Sequence, residues 1–315
     1  MAAYKYLGKT FLMAIQAVAD TPEVPDTTNG IKTMELDYKP YQGDTQSLDY
    51  DSNGQGANPT INVNPTDEFS FKTAAFASGT AGTPPVIGVC FRAAGMNETV
   101  NGVIDVTYAT IDVTKFDTEF ATCYHLRGNM RYQCSDAMTD IGFELKAGQF
   151  AQFMFDGGMG KYIRPVEQVS AIVPTYAGFN DPLPMTKDNT PTVTIGGWQG
   201  CVDQLSFTMG NNIVKHDRAG CAGVSITSRS PSATLVVEAP DIATKNMFQE
   251  MESHLGTINL YDVVWEHGTN AGYIFGGTLF DTQINGITEV DLGGKLGFEL
   301  ALTPTADDPV NFVFT

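Results

Sequence analysis

The residues with the strongest claim to chemistry are the lysines that follow glycine. Gly8-Lys9-Thr10 has the ending of a phosphate-binding loop, in which backbone amides cradle phosphates and a hydroxyl holds magnesium. That motif needs a glycine at position 3, where Ala3 stands, and a strand ahead of it. In Gly157-Gly158-Met159-Gly160-Lys161 the next residue is Tyr162, not the Ser or Thr that magnesium requires. The small-residue run at 77–83 contains no dinucleotide fingerprint, and Pro84-Pro85 removes amide donors that a phosphate would need. The histidines, His125, His216, His254 and His267, are far apart and lack the spacing of a zinc protease. Ser225 and Ser228 lack the flanking glycines of a nucleophile elbow. Two of the many carboxylates can meet in space as a hydrolytic pair, but no spacing singles out a pair. Cys90, Cys123, Cys134, Cys201 and Cys221 are an odd set without a C-x-x-C, which argues against structural zinc or a disulfide framework. Reduced, mostly buried thiols and folding in a cytoplasm are the expectation. No enzyme signature, cofactor site or metal site is expected.

The elements that carry these residues are strands. The chain has 315 residues, 42% hydrophobic and 17% charged, enough for two domains with packed cores. Its 32 glycines and 16 prolines are scattered, as suits many turns between short strands. The net charge is -18, which argues against holding nucleic acid, because affinity for phosphates rests on Lys and Arg. The same balance leaves open a protein that lets nucleic acid slide past without sticking, and equally one that is only kept in solution by its charge. No stretch of about 18 apolar residues is present to form a membrane-spanning helix, so no membrane partner is expected. Residues 1–30 carry Ala17-Val18-Ala19, a cleavage look-alike. Their apolar run, Phe11 to Ile15, is shorter than a leader's and Gln16 interrupts it, so a structural arm is expected.

From residue 31 one order of elements occurs twice. TMELDY (33–38) alternates as a strand, and residues 40–59 lose all periodicity and are expected to form a long polar loop. TINVN and EFSFKT resume the alternation. A short helix follows, with Pro85 in its first turn and Gly95 just past its end. Thr107–Thr114, Cys123–Tyr132 and GFELKAGQFAQFMF complete the first half as strands. In the second half VDQLSF stands for TMELDY, residues 209–223 for the loop, and VSITS and ATLVVEA for the next strands. A helix over APDIATKNMFQEMESH follows, after Pro240 and with Asp241 as N-cap, and EVDLGGKLGFELALTP closes the copy. The offset between matching residues falls from 169 (Leu36 to Leu205) to 147 (Glu144 to Asp291), so the first copy carries an excursion near 99–120. The expected organisation is an arm at 1–30, a first domain at 31–165, a connection at 166–195 and a second domain at 196–315. Both domains are mainly β, each with a flanking helix and a long loop.

Three stretches then carry a resemblance. GKTFLMAIQAVADTPEVP, ASGTAGTPPVIGVCFRAAGMNETV and TSRSPSATLVVEAPDIATKNMF, in that order, resemble bacteriophage tail tube proteins of the long, two-copy kind. The chain departs from the pattern in lacking Tyr-Gly before its Thr-Pro and in having Ala94 where a Cys is common. The resemblance implies two tandem β-barrel or sandwich tube domains with no catalytic residues. It implies trimeric rings of pseudo-sixfold symmetry that stack head to tail in the tail of a virion, after assembly in the host cytoplasm. Partners would be further copies of the chain, then tape measure, tail terminator and tail tip proteins, with viral DNA passing through an acidic channel unbound. The polar loop is expected to stack one ring on the next, through Tyr41, Gln42, Asp44, Leu48, Tyr50, Asp51 and Asn53. Pro84, Pro85, Gly95, Pro240 and Asp241 would turn the chain from inner sheet to outer helix. Two other classes remain open: a secreted carbohydrate-binding or adhesin-like β-sandwich, which needs exposed aromatic platforms, and a two-domain hydrolase, which needs a carboxylate-lined cleft.

Overall fold

The computed structural model describes residues 8–51, 56–111, 118–168, 172–176, 178–254 and 256–315. The first half runs β1 (Lys9–Gln16), β2 (Gly30–Ile31), β3 (Met34–Ser47), β4 (Thr60–Ala74), α1 (Gly88–Ala93), β5 (Met96–Asn101), β6 (Asp105–Thr110), β7 (Phe120–Arg127), β8 (Met130–Met138), β9 (Gly142–Lys146) and β10 (Gln152–Glu167). The second runs β11 (Thr192–Ile195), β12 (Trp198–Gln199), β13 (Val202–Thr208), β14 (Asn211–Arg218), β15 (Cys221–Arg229), β16 (Ser232–Glu238), α2 (Met247–Met251), β17 (Tyr261–His267), β18 (Phe275–Asp291), β19 (Leu296–Pro304) and β20 (Val310–Phe314). The protein is mainly β, in large antiparallel sheets that pack as a sandwich. Among the described residues no strand order closes on itself, so the barrel form of the expectation is not seen.

Strand pairing repeats between the halves. In the first, neighbours run β1-β7-β8-β10-β4-β3, all antiparallel. In the second they run β11-β17-β18-β19-β16-β13, again all antiparallel. The helix falls between the third and fourth strands of each set in chain order. β18 does in one piece what β8 and β9 do in two, pairing first toward β17 and then with its hairpin partner. β10 conversely does the work of β19 and β20 together. The repeat begins earlier than residue 31, because the arm supplies β1 and the connection supplies its counterpart β11. The excursion of the first copy is the β5–β6 hairpin, whose second strand pairs with β20 of the other half.

Alternation explains the faces. In β13 Leu205 and Phe207 point inward, and in β16 Ala233, Leu235 and Val237 do the same. One core draws on both halves: Phe91, Phe143 and Phe153 meet Trp265, Phe275, Phe312 and Phe314. The Phe143 and Trp265 rings stack at 4.6 Å, and Phe153 meets Phe275 edge-on at 4.9 Å. Offset and edge-to-face pairs of this kind add to the area that the rings bury.

Six expectations need correction. Residues 40–47 are not loop: β3 runs on to Ser47 and pairs with β4 as far as Thr60, through three register shifts. Residues 209–223 likewise form most of a hairpin, β14–β15. The first arm exposes both faces and the second buries only Val224 and Ile226, beside Met138, so residues 40–47 and 211–223 lack the alternation by which a half-buried strand is read. Cys123–Tyr132 is not one strand but the β7–β8 hairpin, turned at Gly128 with φ 60°. The second helix spans five residues, and its N-cap is Asn246, which accepts from the Gln249 amide; Asp241 instead closes a turn by accepting from the Ala243 amide at 3.0 Å. Pro85 precedes α1, its carbonyl accepting from Gly88 N–H at 2.8 Å, whereas Gly95 does follow the helix, with φ 78°. The strand over Thr107–Thr114 ends at Thr110, and residues 112–114 lie outside the described residues.

Candidate assembly site

Where the two copies meet, sheet joins sheet. β9 of the first copy and β13 of the second pair antiparallel, Leu145 opposite Leu205 and Phe143 opposite Phe207. Gln204 Nε2 donates to Glu144 Oε1 at 3.0 Å across the solvent side of the joint. The result is one continuous sheet in the order β3-β4-β10-β9-β13-β16-β19, ending on the distal part of β18. The surfaces in contact are unlike: a hairpin strand of one copy meets the edge strand of the other.

The solvent face of this sheet is acidic. Glu35, Asp37, Glu68, Glu144, Asp156 and Glu299 lie on it, against Lys39, Lys72 and Lys146. Lys72 pairs with Glu35 at 2.6 Å, and that carboxylate, helped by Asp156 and Glu144, raises the lysine pKa. Beneath the face, Asp67 is buried, accepting from the Tyr38 hydroxyl at 2.6 Å and the Tyr41 amide at 2.8 Å. Burial raises the Asp67 pKa, and the two donors oppose that shift. Tyr38 stacks on His125 at 4.9 Å; burial, then Arg127 and Lys9, pulls that imidazole down to about 4.

The residues expected to stack rings fall on the first arm. Tyr41 has φ 58°, meets Tyr162 edge-on at 4.8 Å and accepts from Asn62 at 3.1 Å. Gln42 pairs with Thr66 at the base of the arm. Asp44 forms an ion pair of 2.9 Å with Lys215 of the second arm, so the two arms lie side by side. Leu48 N–H donates to Pro59 at 3.0 Å, Tyr50 is 69% exposed and Asp51 is exposed; Asn53 lies outside the described residues. The helix corners stay apart from this group. Gly95 accepts from Arg229 Nη2 at 2.8 Å at the base of the second arm, while Pro84 and Pro85 lie ahead of α1 and Pro240 and Asp241 ahead of α2. A Cβ at Gly95 would come within 2.6 Å of that guanidinium. The joint between β9 and β13 was missed in the sequence. GFELK and VDQLSF each read as strands, but alternation does not say which strand lies beside which.

Asp37, Lys39, Glu68, Ser70 and Asn212 line an open cleft between the sheet and β14. Asp37 and Lys39 stand 3.7 Å apart there, more than half exposed, as a solvated ion pair. Among the described residues no group of three or more His, Cys, Asp or Glu is placed to hold a metal, and no helix is long and apolar enough to cross a membrane. No protein-family model matches the chain, and no curated protein sequence matches it either.

Proposed function

We propose that this chain is a structural subunit that polymerises with further copies of itself into a tube of the phage-tail kind. The observation that carries the reading is the joint between unlike edges of two like copies. A contact between different surfaces does not satisfy itself, so repeating it from chain to chain gives a ring or a filament. Three chains joined in this way would contribute about 24 strands. At ~4.8 Å per strand the backbone circle is ~37 Å across before tilt widens it, which leaves a channel of roughly 25–30 Å after side chains. A DNA duplex fits such a channel, and the acidic sheet face lining it would repel phosphates rather than hold them. On this reading the two arms, joined by the Asp44–Lys215 ion pair, would reach a neighbouring ring. Tape measure, terminator and tip proteins would then meet the ends of the tube, in the tail of a virion.

The test is electron microscopy of the concentrated protein beside a variant in which a short Gly-Ser bridge replaces Asp44–Val63. The parent should form tubes. The variant should keep its circular dichroism and thermal midpoint but form none. Tubes of normal length from the variant would remove the arm from the stacking role, and a parent that stays monomeric at every concentration would overturn the reading.

A further inference from the structure

Three thiols and a thioether meet in the core of the first copy. Register sets Met13 of β1 opposite Cys123 of β7, and Cys123 opposite Cys134 of β8. Facing residues of an antiparallel pair share one side of the sheet, so these three side chains form a row across three strands. The Cys90 thiol of α1 meets the Met13 thioether at 3.7 Å. All four residues are fully buried, and the three cysteines are free thiols.

We propose that Cys123 and Cys134 are a latent cross-strand disulfide, a modification site that peroxide closes and that latches β7 to β8 inside the core. Facing Cα atoms of antiparallel strands stand about 4.5–5.5 Å apart, and a disulfide spans about 4.4–6.8 Å, so the bond needs no movement of either strand. The two thiols already lie within hydrogen-bonding reach of each other. Cys90 is held against Met13, which leaves Cys123 and Cys134 as the reacting pair. Space for the sulfur comes from β10: a Cβ at Gly160 would stand 2.9 Å from the Cys134 Sγ, so the bare backbone there makes room for it.

The chemistry balances with hydrogen peroxide as the oxidant. One cysteine sulfur attacks a peroxide oxygen, the O–O bond breaks, and a sulfenic acid and one water result. The facing sulfur then attacks the sulfenic sulfur, the S–S bond forms as the S–O bond breaks, and the departing hydroxide takes the second thiol's proton as water. Two thiols are oxidised and one peroxide is reduced to two waters. The thiolate is the attacking form, and burial pushes the Cys123 thiol well above its ordinary range. The closed core therefore reacts slowly, and opening of the β7–β8 hairpin sets the rate. The same burial shields the product, because a reductant cannot reach the bond while the chain stays folded. The exposed Cys201 and Cys221 have neither protection and should react first.

The experiment uses the full chain with Cys201→Ser and Cys221→Ser, which leaves only the buried thiols. This chain is held in hydrogen peroxide, both in buffer and in urea just below its unfolding transition. It is then unfolded, and its free thiols are counted by maleimide labelling and mass spectrometry. One label, a mass lower by two hydrogen atoms and a peptide joining Cys123 to Cys134 are expected, sooner in urea than in buffer. Dithiothreitol should open the bond only once the chain unfolds. Closing a loop of about 12 residues should raise the urea midpoint by about 1 M. Three labels at every urea concentration would overturn the proposal, as would a link through Cys90 or an arrest at sulfinic acid. A linked pair whose midpoint does not rise would overturn the latch. The Cys134→Ala chain should gain nothing under peroxide, and an equal gain there would trace the shift to other residues and overturn the latch as well.

Discussion

Replacing Phe143 by Ala tests whether the two copies share one core or only touch. The ring is fully buried, stacks on Trp265 at 4.6 Å and lies within 6.0 Å of the Phe207, Phe275 and Phe312 rings, all of the second copy. Removing a buried phenyl group costs about 3–5 kcal/mol, because surrounding rings collapse only partly into the space. Backbone pairing between β9 and β13 survives the substitution, so the loss reports packing alone. With an unfolding slope of about 3 kcal/mol per molar urea, the midpoint should fall by about 1–1.7 M. Far-ultraviolet circular dichroism, which sees both copies, and the fluorescence of Trp265 should move together in one transition. Phe143→Leu, which keeps most of the volume, should lose about 1–1.5 kcal/mol. A loss below about 1 kcal/mol for Phe143→Ala, or two separated transitions in the parent, would refute the shared core.

Three further outcomes are expected. His125 has a folded pKa pulled down to about 4 from 6.5, so the folded state binds fewer protons; stability is full above pH ~6.5 and falls by about 3 kcal/mol as pH drops toward 4, and His125→Gln should flatten that limb of an acid titration followed by circular dichroism. Arg229 donates to the Ile111 carbonyl at 2.5 Å, Gly95 at 2.8 Å and Asn211 at 3.1 Å, tying the second arm to the first helix corner. Arg229→Ala should cost about 2–3 kcal/mol in urea unfolding and increase hydrogen exchange in β14 and β15; unchanged exchange would show that the arm is held by other contacts. Association should rise with salt, because each copy carries a net charge of -18 and screening shortens the reach of that repulsion to about 8 Å at physiological strength. Sedimentation showing larger species at low salt than at high salt would contradict that reasoning.

The strand order was legible where a strand has one buried face, as Leu205 and Phe207 show in β13 and Phe69 and Phe71 in β4, because period-two alternation reports such a face directly; β1 and β7 bury both faces and show no alternation. Gly95 was legible as a helix stop because a positive φ there suits glycine above other residues. The arms were not legible. Gln42–Ser47 and Asn211–Arg218 bury almost nothing, so their strand character comes from hairpin partners rather than from pattern. The second helix was overread because Ile242, Met247 and Met251 keep a helical spacing, yet Ile242 is 66% exposed and only Met247 is buried. The joint between β9 and β13 was invisible for a different reason: which strand lies beside which depends on pairings between residues more than fifty positions apart, and local sequence carries no trace of that.

The strand Val310–Phe314 lies between β18 and β6, so it belongs to the cores of both copies at once. On the ribosome this imposes an order of events. The first copy has all its own strands once residue 167 has emerged, but Phe91 and Phe153 still lack Phe312 and Phe314. At 5–20 residues per second, about 140 further residues take about 7–30 s, during which that half waits with aromatic surface uncovered. Folding is thereby tied to near-complete synthesis, and on the proposed reading a nascent chain would offer further copies no finished edge to capture. Chains interrupted before Val310 should be recognised by chaperones and proteases.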